Sequence, residues 1–180
     1  MLIVNIFTRY VLGFSFFVFS SGAFSSVSLI KDTYKEVAVA KGVPVQALYA
    51  IGLTETGITT DENHHVPWQY SLNIYKKEYR FNSQEKACEA VLAAIKKTEA
   101  VDIGETQLHW RYFKSDSPCD YFEREKALSK TADILKKCYE KHKNWVSAAG
   151  CYHRPKGGRL AEIYMEKYAV TLKQVLAEDW

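Results

Sequence analysis

The chain has 180 residues, 47% of them hydrophobic and 25% charged, with a formal net charge of +3. That length suits one domain of ordinary size, and the composition excludes a disordered chain. The weak positive balance contains no basic tract, which argues against a nucleic-acid partner and is compatible with an anionic polymer.

Arg9 is the only charge before Lys31. An apolar run over 10–19 follows it, and then the small residues Ser20-Ser21-Gly22-Ala23-Phe24-Ser25-Ser26. This order predicts a secretory signal peptide over 1–25, cleaved near Ala23 or Ser25. The run is too short for a comfortable transmembrane span, and no later segment is apolar enough for a stable one. Export favours two disulfides among the four cysteines, Cys88, Cys119, Cys138 and Cys151. The rival is a metal site with His64, His65 or His153. The usual zinc spacings are absent, so no metal is expected.

An amphipathic helix is predicted over 27–41, with Leu29, Ile30, Tyr34, Val37 and Ala38 on one face. Gly42 ends it, and Pro44 suits the first turn of a second helix over 45–54. That helix carries Leu48, Tyr49, Ile51, Gly52 and Leu53 and is nearly all apolar, which predicts burial. Gly57 is expected to stop it in the left-handed conformation. Residues 59–63 read as a polar loop, 68–75 as a strand by alternation, and 76–81 as its hairpin partner. Ser83 caps a predicted helix through Lys97, and 102–104 open a tight segment leading to Trp110. The last third is helical. Ala132, Ile134, Leu135, Cys138 and Tyr139 form one stripe, 145–152 a short helix, and 160–176 a last helix with Ile163, Tyr164, Tyr168, Leu172 and Val175 inside. The fold class is α+β, mostly helical with a small β-hairpin.

Glu55 is a lone carboxylate at the end of the apolar helix, just before a glycine turn. Burial there would disfavour its charged form and raise its pKa. A general acid of glycoside cleavage needs that property near neutral pH. A solvated helix-end glutamate is the commoner meaning of such a local pattern.

Four segments together change that balance. The run Ala47-Leu48-Tyr49-Ala50-Ile51-Gly52-Leu53-Thr54-Glu55-Thr56-Gly57 resembles the catalytic helix of the soluble lytic transglycosylases, where a hydrophobic run ends in Glu-Ser-Gly. Pro67-Trp68-Gln69-Tyr70-Ser71-Leu72-Asn73 resembles the Pro-Trp-x-x-x-Leu-Asn segment of a secreted subgroup associated with conjugative elements and pili. Asp102-Ile103-Gly104-Glu105-Thr106-Gln107 is similar to the family's Asp-x-Gly-x-x-Gln segment, and Tyr152-His153 resembles its late tyrosine motif. The segments occur in the family's order.

The resemblance implies a lysozyme-like domain over 26–180, located in the periplasm. It implies a cofactor-free lyase that cleaves the β-1,4 bond between N-acetylmuramic acid and N-acetylglucosamine and leaves a 1,6-anhydro ring. Glu55 would be acid and then base. Thr56 stands in the serine position, Gln107 would hold the N-acetyl side of the sugar, and Tyr152 would hydrogen-bond near Glu55. Trp68 and Tyr70 would stack on sugar faces or fill the core. Implied partners are peptidoglycan glycan strands and components of a secretion, conjugation or pilus apparatus. The family pattern also implies a Cys119–Cys138 disulfide, leaving Cys88–Cys151, with 88–119 plus 138–151 and 88–138 plus 119–151 open as alternatives. A continuous helix from Asp120 to Cys138 would hold those cysteines roughly 25 Å apart, beyond the roughly 7 Å that a disulfide spans. The expected bond therefore requires a helix starting near Lys126.

Three departures are visible. Thr56 replaces serine, Glu105-Thr106 replaces an apolar pair and adds a carboxylate near the expected cleft, and Ala127 sits where relatives open a helix with asparagine. A hydrolytic lysozyme is the first rival, and its usual mechanism needs a second carboxylate. Asp61, Glu62, Asp102 and Glu105 are candidates. A non-catalytic peptidoglycan-binding module is the second rival.

Overall fold

The computed structural model describes residues 22–178 and 180, with side chains from Val27 onward. The predicted leader lies outside the described residues except for its last four, which open the first helix. Six α-helices and two small antiparallel sheets make up the described chain. None of the described helices is long and apolar enough to cross a membrane.

Helix α1 (Gly22–Lys41) packs through Tyr34, Val37 and Ala38. Leu29, expected on that inner face, is instead 64% exposed. Helix α2 (Val45–Thr56) is buried without interruption from Ala47 to Thr54, as its composition requires. A side chain at Gly52 would place its Cβ 2.2 Å from Tyr34 Oη and 3.0 Å from Pro67. Only glycine lets α1 and the following hairpin close on α2 from both sides.

Gly57 does not take the left-handed conformation. At φ −54° and ψ 134° it is extended, and α2 passes straight into strand β1 (Gly57–Thr59). Glycine is needed there for space, because a Cβ would lie 2.5 Å from Leu53 O and 2.8 Å from His65 Nε2. Strand β1 pairs with β2 (His65–Pro67), so the expected polar loop is the tip of a short hairpin.

The second sheet has the order β4-β3-β5-β6, from β3 (Ser71–Ile74), β4 (Lys77–Arg80), β5 (Val101–Ile103) and β6 (Leu108–His109). The expected 68–81 hairpin is present. Its two turn residues, Tyr75 and Lys76, both have positive φ, the type I′ geometry that matches strand twist. Leu72, Val101, Ile103 and Leu108 face a core covered by Ala87 and Val91 of helix α3 (Gln84–Ile95), which Ser83 caps. Alternation puts Asn73, Asp102 and His109 on the opposite face, in register across three strands.

Helices α4 (Arg124–His142), α5 (Trp145–His153) and α6 (Arg159–Leu176) complete the first core with α1 and α2. Ala127 is buried one turn into α4. Ile163, expected inside, is 47% exposed, whereas Tyr164, Tyr168 and Val175 are buried.

The disulfides are Cys88–Cys119 and Cys138–Cys151, with Cα separations of 5.1 and 5.8 Å, not the expected 119–138 and 88–151. The geometric argument explains the correction. Helix α4 begins at Arg124 and carries Cys138 roughly 21 Å from its start. Cys119 sits in the 3-10 turn Pro118–Phe122, against α3. Each bond thus stays within one core: Cys88 and Cys119 flank the sheet core, Cys138 and Cys151 the helical core.

Candidate active site

Glu55 occupies the last turn of α2, half-buried. Tyr164 of α6 donates its phenolic hydrogen to Glu55 Oε1 at 2.8 Å. Burial pushes the Glu55 carboxyl up to about 7, against the opposing pull of the Tyr164 hydrogen bond and the Lys167 charge; the Asp102 charge adds to the rise. Lys167 Nζ donates to the carbonyl of Thr54, one residue before Glu55. The His153 ring stacks flat on Tyr164, with centroids 4.2 Å apart and planes 7° from parallel. Burial and the charges of Arg154 and Lys167 hold the His153 imidazole below its ordinary value.

Tyr152 does not touch the carboxyl of Glu55 through a hydrogen bond. Its hydroxyl donates to the carbonyl of Thr106 at 2.5 Å and ties α5 to the loop after β5. Its phenol is driven far up by burial and by the Glu55 charge, which places it in the field of Glu55 without a bond to it. The tyrosine that holds Glu55 is Tyr164, which sequence reasoning assigned only to the core. Its position in the α6 stripe marked burial, and nothing local distinguishes a buried tyrosine whose hydroxyl meets a carboxylate.

The loop carrying Gln107 is a tight turn. Gly104 has φ +77°, and a Cβ there would lie 2.1 Å from Tyr121 O. Gln107 has φ +53°, its backbone N–H donates to Gly104 O at 3.1 Å, and its side-chain amide donates to the same carbonyl at 2.8 Å. Thr131 donates to Thr106 Oγ1 at 2.8 Å from behind.

Thr56 fastens this loop to the helix end. Its hydroxyl donates to Glu105 O at 2.8 Å and accepts the Trp68 N–H at 3.2 Å. At 1% exposure Thr56 is a joint inside the protein rather than the substrate contact expected of it. Glu105 is corrected in the same way. It turns inward at 1% exposure, with both carboxylate oxygens 3.0 Å from Arg124 Nε, and adds no carboxylate to a cleft. Burial pushes it up to about 7 against the Arg124 charge.

Trp68 and Tyr70 are both half-buried. The Trp68 indole N–H donates to Phe81 O at 3.1 Å, and Tyr70 packs edge-on against Phe122. Both rings are committed in part to the fold.

Of the other candidate carboxylates, Asp61 and Glu62 are exposed in the β1–β2 loop. Asp102 is half-buried between Asn73 and His109 on the outer sheet face, in a cleft of about 350 Å³ lined by Asn73, Tyr75, Lys76, Ala100, Asp102 and His109. Burial raises its carboxyl, partly offset by His109. All four cysteines are in disulfides, and among the described residues no cluster of histidine, cysteine and carboxylate side chains could hold a metal.

Comparison with protein-family models, with curated proteins and with solved structures finds no match. The chemistry is therefore read from the geometry. A carboxyl with a pKa near 7, held by a neutral phenol at a half-buried helix end, exchanges a proton at neutral pH with little free-energy penalty in either direction.

Proposed function

We propose that the chain is a peptidoglycan lytic transglycosylase of lysozyme-like fold. It acts in the periplasm after removal of the 1–25 leader and opens the wall locally for a conjugation or pilus apparatus. The observation that carries this reading is the Glu55 carboxyl, raised to about 7 by burial and held by Tyr164. The motif order read from the sequence supplies the substrate.

Glu55 gives its proton to the glycosidic oxygen as the bond to the anomeric carbon breaks. The substrate's own N-acetyl group, held beside Gln107, stabilises the developing charge. The Glu55 carboxylate then removes the proton from the sugar's 6-hydroxyl, and that oxygen closes on the anomeric carbon. No water is consumed, and the tethered nucleophile has the effective-molarity advantage of an intramolecular reaction.

A second reading, a hydrolytic lysozyme, is favoured by one observation. Asp102 is the carboxylate whose charge reaches Glu55, and two carboxylates with water between them make a hydrolase. Digestion of purified peptidoglycan in ¹⁸O-labelled water separates the readings. Unlabelled anhydro products support the lyase. Labelled reducing ends overturn it in favour of Asp102-assisted hydrolysis, and binding without cleavage leaves the non-catalytic module.

A further inference from the structure

His153 closes α5, and its ring lies flat on the phenol that holds Glu55. The stack is built rather than incidental. Gly150, one turn earlier, lets α6 approach so closely that a Cβ there would lie 2.5 Å from Met165 Cγ. Cys151 anchors the same helix to α4 through its disulfide. Tyr164 is buried, whereas His153 is exposed and has no other aromatic neighbour among the described contacts. An exposed histidine held parallel to a buried tyrosine, itself bonded to a half-buried carboxyl, forms a three-member column from solvent to Glu55.

We propose that His153 is a positioning residue for Glu55: by capping the Tyr164 ring it holds that phenol on the carboxylate. The proposal rests on the reading of Glu55 as acid and base. The charged and titratable groups around the column are Arg154 just after α5, Tyr152 on α5, Lys167 and Tyr168 on α6, Glu55 on α2 and Asp102 on β5. The sign follows from the bond. Donation from Tyr164 favours the ionised form of Glu55, so a loosened phenol lets the Glu55 pKa rise. Removing the cap has the same sign as removing the hydroxyl, and a smaller size.

The test is a ¹³C NMR titration of the Glu55 carboxyl in the full chain, with the signal assigned by its loss in Glu55→Gln. Tyr164→Phe sets the full upward displacement. His153→Ala moves the Glu55 titration upward by roughly half a pH unit, the scale of one aromatic pair. His153→Phe, which keeps a flat ring on Tyr164, restores the wild-type value. On peptidoglycan, His153→Ala lowers kcat several-fold with KM little changed, and His153→Phe recovers it. An unchanged Glu55 titration in His153→Ala, or no recovery in His153→Phe, overturns the proposal. The titration is read on the carboxyl itself. Its outcome therefore stands even if the peptidoglycan assay fails, and the two failures remain distinct.

Discussion

Two glutamates in this molecule have their pKa raised above the ordinary value by the same cause, burial. Glu55 sits at a half-buried helix end and is held by an uncharged phenol. Glu105 is sealed inside and gripped by the Arg124 guanidinium. A shifted pKa alone does not mark a catalytic group. What separates the two is access and the charge of the partner: a phenol leaves the proton free to move, whereas a guanidinium fixes the carboxylate as half of an ion pair.

The comparison breaks most sharply with Glu55→Gln and Glu105→Gln. The first removes the transferable proton and keeps the shape, so activity falls by about 10²–10⁴-fold or more with little change in thermal stability. The second leaves Arg124 facing a neutral amide. It costs about 3 kcal/mol of stability, at the low end for a broken buried pair because Arg124 keeps some contact with water. Peptidoglycan turnover and thermal melts on both variants check the exchange. A stable, inactive Glu105→Gln would reverse the assignment.

Tyr164→Phe is a smaller perturbation of the same site. The phenol favours the ionised Glu55, so its loss raises the Glu55 pKa and moves the alkaline limb of the rate profile to higher pH. A bond to a charged group is worth about 1.5–3 kcal/mol, and a pH–rate profile reads the displacement. An alkaline limb that moves down would show that Tyr164 does not donate to the carboxylate.

Linkage gives a third expectation. The folded-state pKa of Glu55 lies above its ordinary 4.5, so the folded protein binds more protons than the unfolded chain between about 4.5 and 7. Stability is then fully present below 4.5 and is lost as pH rises through 7. Glu55→Gln cannot titrate, so its melting temperature falls less steeply over that window. Parallel curves for wild type and variant would contradict the raised pKa.

Much of this contrast was hidden from the sequence for identifiable reasons. Helix α2, the 71–80 hairpin and the Ser83 cap were legible because periodicity, turn spacing and capping are local. Glu105 lies two residues before Gln107, which suggested a shared cleft. The positive φ values at Gly104 and Gln107 instead turn the intervening side chain toward Arg124, nineteen residues on. The requirement for glycine at 57 comes from crowding by Leu53 and His65, not from backbone handedness, and that crowding is invisible in a local window of sequence. The cysteine pairing and the Tyr164–Glu55 bond depend on which elements pack together, and no short window of sequence states that.

Thr56 joins the two halves of the comparison and carries the smallest expected effect. It follows Glu55 in the chain, and its hydroxyl donates to the carbonyl of Glu105 while accepting from Trp68. Thr56→Ser keeps both bonds and loses one buried methyl, at about 0.5–1.5 kcal/mol by analogy with other single-methyl deletions, and turnover stays within a few-fold of wild type. Thr56→Val keeps the volume but takes the hydroxyl donor from the buried Glu105 carbonyl, at about 1–3 kcal/mol, and leaves the Trp68 N–H only its 3.3 Å bond to the Thr56 backbone carbonyl. If the helix end is held in place by this joint, Val lowers kcat more than Ser does at a temperature where both variants are fully folded. Equal turnover in the two variants would mean that the hydroxyl serves only stability and that Glu55 is placed by Tyr164 alone.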